Sequence, residues 1–239
     1  MMKYAYDLHI HSALSPCADD DMTPNNIAGM AAIKGLDIIA VTDHNSCGNV
    51  RAVQKAAEQY KIKVVPGMEI ETEEEVHVVC YFPDISSAEE MQKIVRANML
   101  GIKNNEKTFG NQFYMDENDE ITGVEENLLV SATMLSFQEV FKTVHEIGGV
   151  AVPAHIDRTS YSVISNLGFL PPDVDIRAVE ITARNLAIWK ENYADFSIIT
   201  NSDAHNLGDI AEKEHFLFKS DKKDDFMTEF FMKYFFGDF

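Results

Sequence analysis

Short apolar runs rich in β-branched residues alternate along the chain with longer amphipathic stretches, the pattern of repeated βα units around a parallel sheet. The runs predict strands over 4–9, 37–42, 63–69, 75–82, 149–155, 178–182 and 197–201, with a candidate eighth over 215–219. Helices are predicted over 24–34 and 136–147. Thr23 followed by Pro24 offers an N-cap with proline at the first helical position, and Ser136 with Glu139 fits a capping box. Further helices are expected over 48–60, 87–102, 184–193 and 223–236. The alternation points to an α/β barrel formed by residues 1–239 as one domain.

The stretch near 104–133 breaks this rhythm. It is polar, carries Asp116, Glu117, Asp119 and Glu120, and has no clear periodicity, so it reads as an irregular insertion or lid.

Composition narrows the class. Hydrophobic residues make up 46 % of the chain, enough for a substantial core, and no apolar run reaches the ~18 residues that a spanning helix needs. The segment MMKYAYDLHIHS lacks the basic and apolar regions of a secretory signal, which predicts a cytoplasmic protein with no membrane partner. Cys17, Cys47 and Cys80 are too few and too widely spaced for a disulfide framework or a Cys-x-x-Cys metal site. A net charge of −19 makes binding of long nucleic acid unfavourable and favours small substrates. Bound cations would reverse that field locally and draw in a phosphate.

Candidate chemistry gathers at the strand ends. The first predicted strand ends in Asp7, His9 and His11, the second in Asp43, His44 and Asn45, the third in Glu69, the fifth in His155 and Asp157, and the seventh in Asp203 and His205. In a parallel barrel all these ends share one face. His9 and His11 stand at i, i+2, so in extended chain both imidazoles point the same way, and Asp203 with His205 repeats the spacing. One zinc ion takes three or four protein ligands, so this many groups implies a multinuclear centre, with Glu69 as the candidate bridge. Glu71, Glu73, Glu74 and Glu75 read as a solvated turn. Asp7 and Asp43 are placed to accept a distal imidazole N–H. Arg158 and Arg184 follow strand ends and could clamp a phosphate. His145 lies within a helix, away from any strand end, and reads as structural.

The segments DLHIHS, TDHN, PGMEIET, PAHIDR and NSDAH, in that order, resemble the polymerase and histidinol phosphatase (PHP) family. The resemblance implies a distorted, TIM-like (β/α)7 barrel and a metal-dependent phosphoesterase with three divalent ions, zinc, manganese or iron. It assigns His9, His11, Glu69 and Asp203 to one ion, Glu69, His77 and His155 to a second, and Asp19, His44 and His205 to the third. Asp20 and Asp21 remain alternatives to Asp19, because the first loop, SPCADDDMTP, is longer than in many members. The implied reaction is attack of a metal-activated hydroxide on a small phosphomonoester or nucleotide, with Glu69 and Asp203 at the metals and Arg158 seating the phosphate. A 5′-end exonuclease or oligonucleotide phosphatase of the same family is the alternative. Metal-dependent amide hydrolysis would leave the Thr-Asp-His-Asn motif unexplained.

Overall fold

A computed structural model describes residues 2–219, 226–231 and 233–234. The chain runs β1 (Met2–Ile10), α1 (Pro24–Ile33), β2 (Ile38–Val41), α2 (Val50–Glu58), β3 (Lys63–Glu71), β4 (His77–Tyr81) and α3 (Ile85–Ala97). It continues through α4 (Glu106–Phe109), β5 (Phe113–Met115), β6 (Ile121–Val124), α5 (Phe137–Glu146), β7 (Val150–Pro153), α6 (Val163–Leu167), β8 (Ala178–Glu180), α7 (Leu186–Trp189), β9 (Ser197–Ile199), β10 (Phe216–Lys219) and α8 (Phe226–Phe231). The predicted helix over 223–236 lies partly outside the described residues.

The architecture is mixed α/β, built on a curled, half-barrel sheet ordered β10-β1-β2-β3-β4-β7. Strands β1, β2 and β3 are parallel, whereas β4 runs antiparallel to both β3 and β7, and β10 antiparallel to β1. The regular βα repeat predicted from the sequence therefore fails at β4, which follows β3 through a tight turn with no helix between them. Strands β8 and β9 form a separate parallel pair. They are tied to the main sheet by the Ile156 amide donating to the Glu180 carbonyl on one side and by a bridge from Ala204 to Ile10 on the other.

Because side chains alternate across a strand, the sheet feeds two buried clusters. Ile39, Val41, Met68 and Ile70 pack outward with Ile27 of α1, Val53 of α2 and Met91 of α3. Leu8, Ala40, Val65, Val79 and Tyr81 fill the concave side with Met227 and Phe231 of α8. Gly67 lets β3 sit close to its neighbours, since a Cβ there would come within 2.9 Å of the Thr42 methyl and 3.0 Å of the Cys80 carbonyl oxygen. Both predicted caps form: Thr23 accepts the Asn26 amide, and Ser136 and Glu139 complete a capping box.

The 104–133 segment is held by polar hooks alongside the buried side chains of Met115, Leu128 and Leu129. It holds the β5–β6 hairpin. Asn45 Nδ2 donates to the carbonyls of Leu129 and Ser131, Asn49 Nδ2 donates to the Phe113 carbonyl, and the Met115 amide donates to Asn49 Oδ1. No helix among the described residues is long and apolar enough to cross a membrane.

Candidate metal centre

The site begins with an irregularity in β1. Asp7 pairs with Ile39 and Ile10 with Val41, so β1 carries one extra residue between Asp7 and Ile10. Such a bulge re-aims a side chain. His9 consequently turns toward His11, their Nε2 atoms lying 3.3 Å apart. The segment 203–205 then runs beside 9–11: the Ala204 amide donates to the His9 carbonyl and the His11 amide to the Ala204 carbonyl. This brings His205 face to face with His11, ring centroids 4.2 Å apart, and sets Asp203 Oδ1 3.2 Å from His9 Nε2 and 3.1 Å from His11 Nε2.

Glu69 occupies the middle. The β2–β3 ladder continues past its ends, with His44 bridging to Glu69, so this carboxylate meets residues from both sides of the sheet. Its oxygens lie 3.4 Å from His9 Nε2, 3.3 Å from His11 Nε2, 3.1 Å from His44 Nδ1, 2.9 Å from His77 Nδ1 and 3.4 Å from His155 Nε2. His77 reaches this rim because β4 is antiparallel, which places its first residue, not its last, beside the end of β3.

Three groups of ligand atoms each fall within 4.8 Å: His9, His11, Glu69 and Asp203; His44, Glu69 and His77; and His11, His44 and His205. Among the predicted ligands, His155 belongs to none of the three groups, although its Nε2 lies 3.4 Å from Glu69, and outside them too stands the side chain of Asp19. It is exposed, as are Asp20 and Asp21, and its backbone amide donates to the His205 carbonyl. Arg158 closes on the cluster through Nη1, 2.6 Å from Asp203 Oδ2. Arg158 and Arg184 line a cleft of about 330 Å³ with Thr182, Asn201, Ser202 and Asp203. His145 is exposed on α5, 3.9 Å from Asp175 and remote from the cluster.

Two supporting carboxylates differ from their sequence-based roles. Asp7 does not accept an imidazole proton: the bulge separates it from His9's face, and it accepts the amides of Ser202 and Ala211 instead. Asp43 accepts the hydroxyls of Ser12 and Ser15, and Ser15 Oγ in turn lies 2.9 Å from His11 Nδ1, so its influence on an imidazole is relayed. The direct partner is Glu180, not singled out in the sequence. Both its oxygens lie 3.1 Å from His9 Nδ1, and it also accepts the His155 amide and Asn201 Nδ2. Glu71, read as part of a solvated turn, is buried, and burial pushes its carboxyl up to about 7.

The donor set fits divalent cations. His44 Nδ1, both ring nitrogens of His155 and Glu69 Oε1 are buried without a hydrogen-bond partner among the described residues, although several lie close to one another. Closely approaching nitrogens and oxygens that do not point along hydrogen bonds leave lone pairs directed at shared space, as a cation requires. Charge tells the same story. Burial alone would raise the Glu69 carboxyl, but His77, His9 and His44 hold it well below its ordinary value. Burial opposes charge on His9 and His11 too, yet Glu180, Asp203 and Glu69 hold His9 well above its ordinary value, and Asp203 and Glu69 push His11 up to about 9. Positive charge is thus favoured on His9 and His11, beside carboxylates that cations would neutralise, whereas burial holds His44 and His205 below their ordinary values. Two of the clustered residues carry positive φ, His155 at 29° and Asp203 at 53°. Such backbone is uncommon outside glycine and concentrates at functional sites.

A sequence model of the PHP domain matches residues 7–167, and the chain belongs to the PHP domain family. Endonuclease Q from Pyrococcus furiosus superposes with a TM-score of 0.67 at 20 % identity, over 96 % of this chain and 55 % of that chain. A complex of endonuclease Q with a 27-mer duplex bearing an abasic lesion at its active site also superposes at 0.67. A Bifidobacterium adolescentis protein described as a candidate metal-dependent phosphoesterase superposes at 0.61 with 19 % identity, over 94 % of this chain and 93 % of that one. The 5′-3′ exoribonuclease of Haemophilus influenzae is 31 % identical over 81 residues, 33 % of this chain and 28 % of that protein. The chain therefore spans about half the length of the endonuclease and less of the exoribonuclease. At these identities the solved structures establish the fold.

Proposed function

We propose that the chain hydrolyses a phosphate ester, a small phosphomonoester or a nucleotide, at a cluster of divalent metal ions. The observation that carries this reading is the convergence of His9, His11, Glu69 and Asp203 within 4.8 Å, drawn from segments nearly 200 residues apart. These four would hold one ion. Glu69, His77 and His155 would hold a second, and Asp19, His44 and His205 a third; within 4.8 Å, His44 lies with Glu69 and His77 and also with His11 and His205. Imidazole with carboxylate suits zinc, manganese and iron alike. When bound, such ions polarise phosphoryl oxygens and make water nucleophilic near neutral pH.

The chain's own residues supply the rest. Glu180 accepts a proton held on His9 Nδ1 and so leaves the Nε2 lone pair facing the cluster. Arg158 and Arg184 offer planar forks of donors to phosphate oxygens in the adjoining cleft. Residues 1–239 are read as a single catalytic unit.

The second reading, a nuclease or oligonucleotide phosphatase acting at a strand end, gains weight from the endonuclease and exoribonuclease likenesses. They count against the exclusion of long nucleic acid drawn from net charge. That charge is a property of the whole surface, whereas the arginines stand at the cleft. A hydrolysis screen supplemented with Mn²⁺ or Zn²⁺ decides, comparing histidinol phosphate, mononucleotides, 3′,5′-bisphosphates and short oligonucleotides. Release of phosphate or nucleotide that a chelator abolishes is expected. Metal-loaded protein that cleaves none of them defeats the reading.

A further inference from the structure

The loop from His155 to Ser162 spans the candidate metal centre. Arg158 meets Asp203 at one end. At the other, the Tyr161 ring lies nearly parallel to the imidazole of His77, centroids 4.9 Å apart and planes inclined by 24°. The Tyr161 carbonyl accepts the His77 amide at 3.0 Å, which docks this residue a second time on the start of β4. His77 Nδ1 in turn touches Glu69. An aromatic ring thus stands directly behind one residue of the cluster, on the same loop as a guanidinium suited to phosphate.

The tyrosine is not there to fill the core. It is 48 % exposed, and its hydroxyl makes no hydrogen bond among the described residues. Its backbone φ is +53°, a conformation that side chains with a Cβ adopt rarely. The loop is locked in that shape by Ser162 Oγ donating to the Arg158 carbonyl at 2.7 Å and Ser165 Oγ donating to the Thr159 carbonyl at 3.0 Å. The fold therefore maintains an unfavourable backbone to present a flat aromatic surface to solvent at the rim of the centre.

We propose that Tyr161 is the surface on which a substrate's aromatic base stacks, so that the site selects nucleotides over phosphate esters lacking a base. This rests on the phosphoesterase reading and names its substrate class. Every nucleobase has a π face, so the contact favours nucleotides with little sequence preference.

The test measures binding apart from turnover. Calorimetry with Mn²⁺-loaded protein compares nonhydrolysable methylene phosphonate analogues of adenosine monophosphate and ribose 5-phosphate, using wild type, Tyr161→Phe and Tyr161→Ala, with metal content determined for each. Wild type and Tyr161→Phe are expected to bind the adenosine ligand ~10-fold or more tightly than the ribose ligand. Tyr161→Ala should lose that difference while keeping its metal and its affinity for the ribose ligand. Absence of a preference in wild type, equal weakening of both ligands in Tyr161→Ala, or loss of metal from it would overturn the proposal and mark the ring as mere support for His77. Hydrolysis assays keep the two readings apart. Turnover of both esters without base preference removes only the stacking role, whereas Tyr161-dependent binding without turnover of any ester removes only the phosphoesterase reading.

Discussion

His9 Nδ1 lies 3.1 Å from both carboxylate oxygens of Glu180, a residue 171 positions away in the sequence. Both side chains are buried, and the His9 imidazole holds the Glu180 carboxyl below its ordinary value against the opposing effect of burial. The pair fixes which imidazole nitrogen carries the proton. Glu180→Gln is expected to weaken metal binding by ~10- to 100-fold, the usual cost of losing a carboxylate behind a ligating histidine. Competition titration against a chelating dye checks this, and unchanged affinity would deny Glu180 its orienting role.

Asp203→Ala and His9→Ala should each reduce hydrolysis to background while leaving the circular dichroism spectrum unchanged. The Arg158 side chain, freed from Asp203, is 37 % exposed and can be hydrated, so no isolated buried cation results. Full activity in either variant would refute the assignment of the cluster.

Ions that bind only the folded chain must also stabilise it. At a free concentration ~100 times its dissociation constant, one such ion adds about 2.7 kcal/mol. Thermal unfolding with and without Mn²⁺ or Zn²⁺ should show a rise that a chelator reverses and that Asp203→Ala diminishes. An identical midpoint under all conditions contradicts metal binding at these residues.

The insertion has its own point of failure. Gly110 adopts φ +104°, and a Cβ there would sit 2.1 Å from the Pro16 carbonyl oxygen. Gly110→Ala must therefore distort the backbone and push against the first loop, at a cost of about 1–3 kcal/mol. Urea unfolding measures the loss, and a midpoint within error of wild type would mean that the loop gives way freely.

The legible and illegible parts of this site separate on physical grounds. Histidines and acids at the ends of parallel strands were readable because strand direction alone sends them to one rim, as for His44, Glu69 and His155. Glu180 escapes the sequence reading because a strand over 178–182 puts its acid in mid-strand, whereas β8 ends at Glu180 itself. His77 enters only through the family resemblance, since nothing in a parallel scheme brings the start of a strand to the rim where the other histidines meet. The sequence places Asp7 on the face of His9 because a one-residue bulge leaves no mark in the hydrophobic pattern. The 104–133 segment lacks a periodic pattern for a related reason. Much of its anchoring comes from side-chain amides bonding to backbone, as at Asn45 and Asn49, and such bonds have no period.

The bridge between Ile10 and Ala204 carries a consequence for how the protein comes into being. His9 and His11 acquire their acidic neighbour Asp203 only after almost two hundred further residues have been made. Until then the segment that lines one side of His9 and His11 is missing, although β2 already pairs with β1 on the other. The proposed metal cluster is therefore assembled only when the segments 9–11 and 203–205, far apart along the chain, are laid side by side.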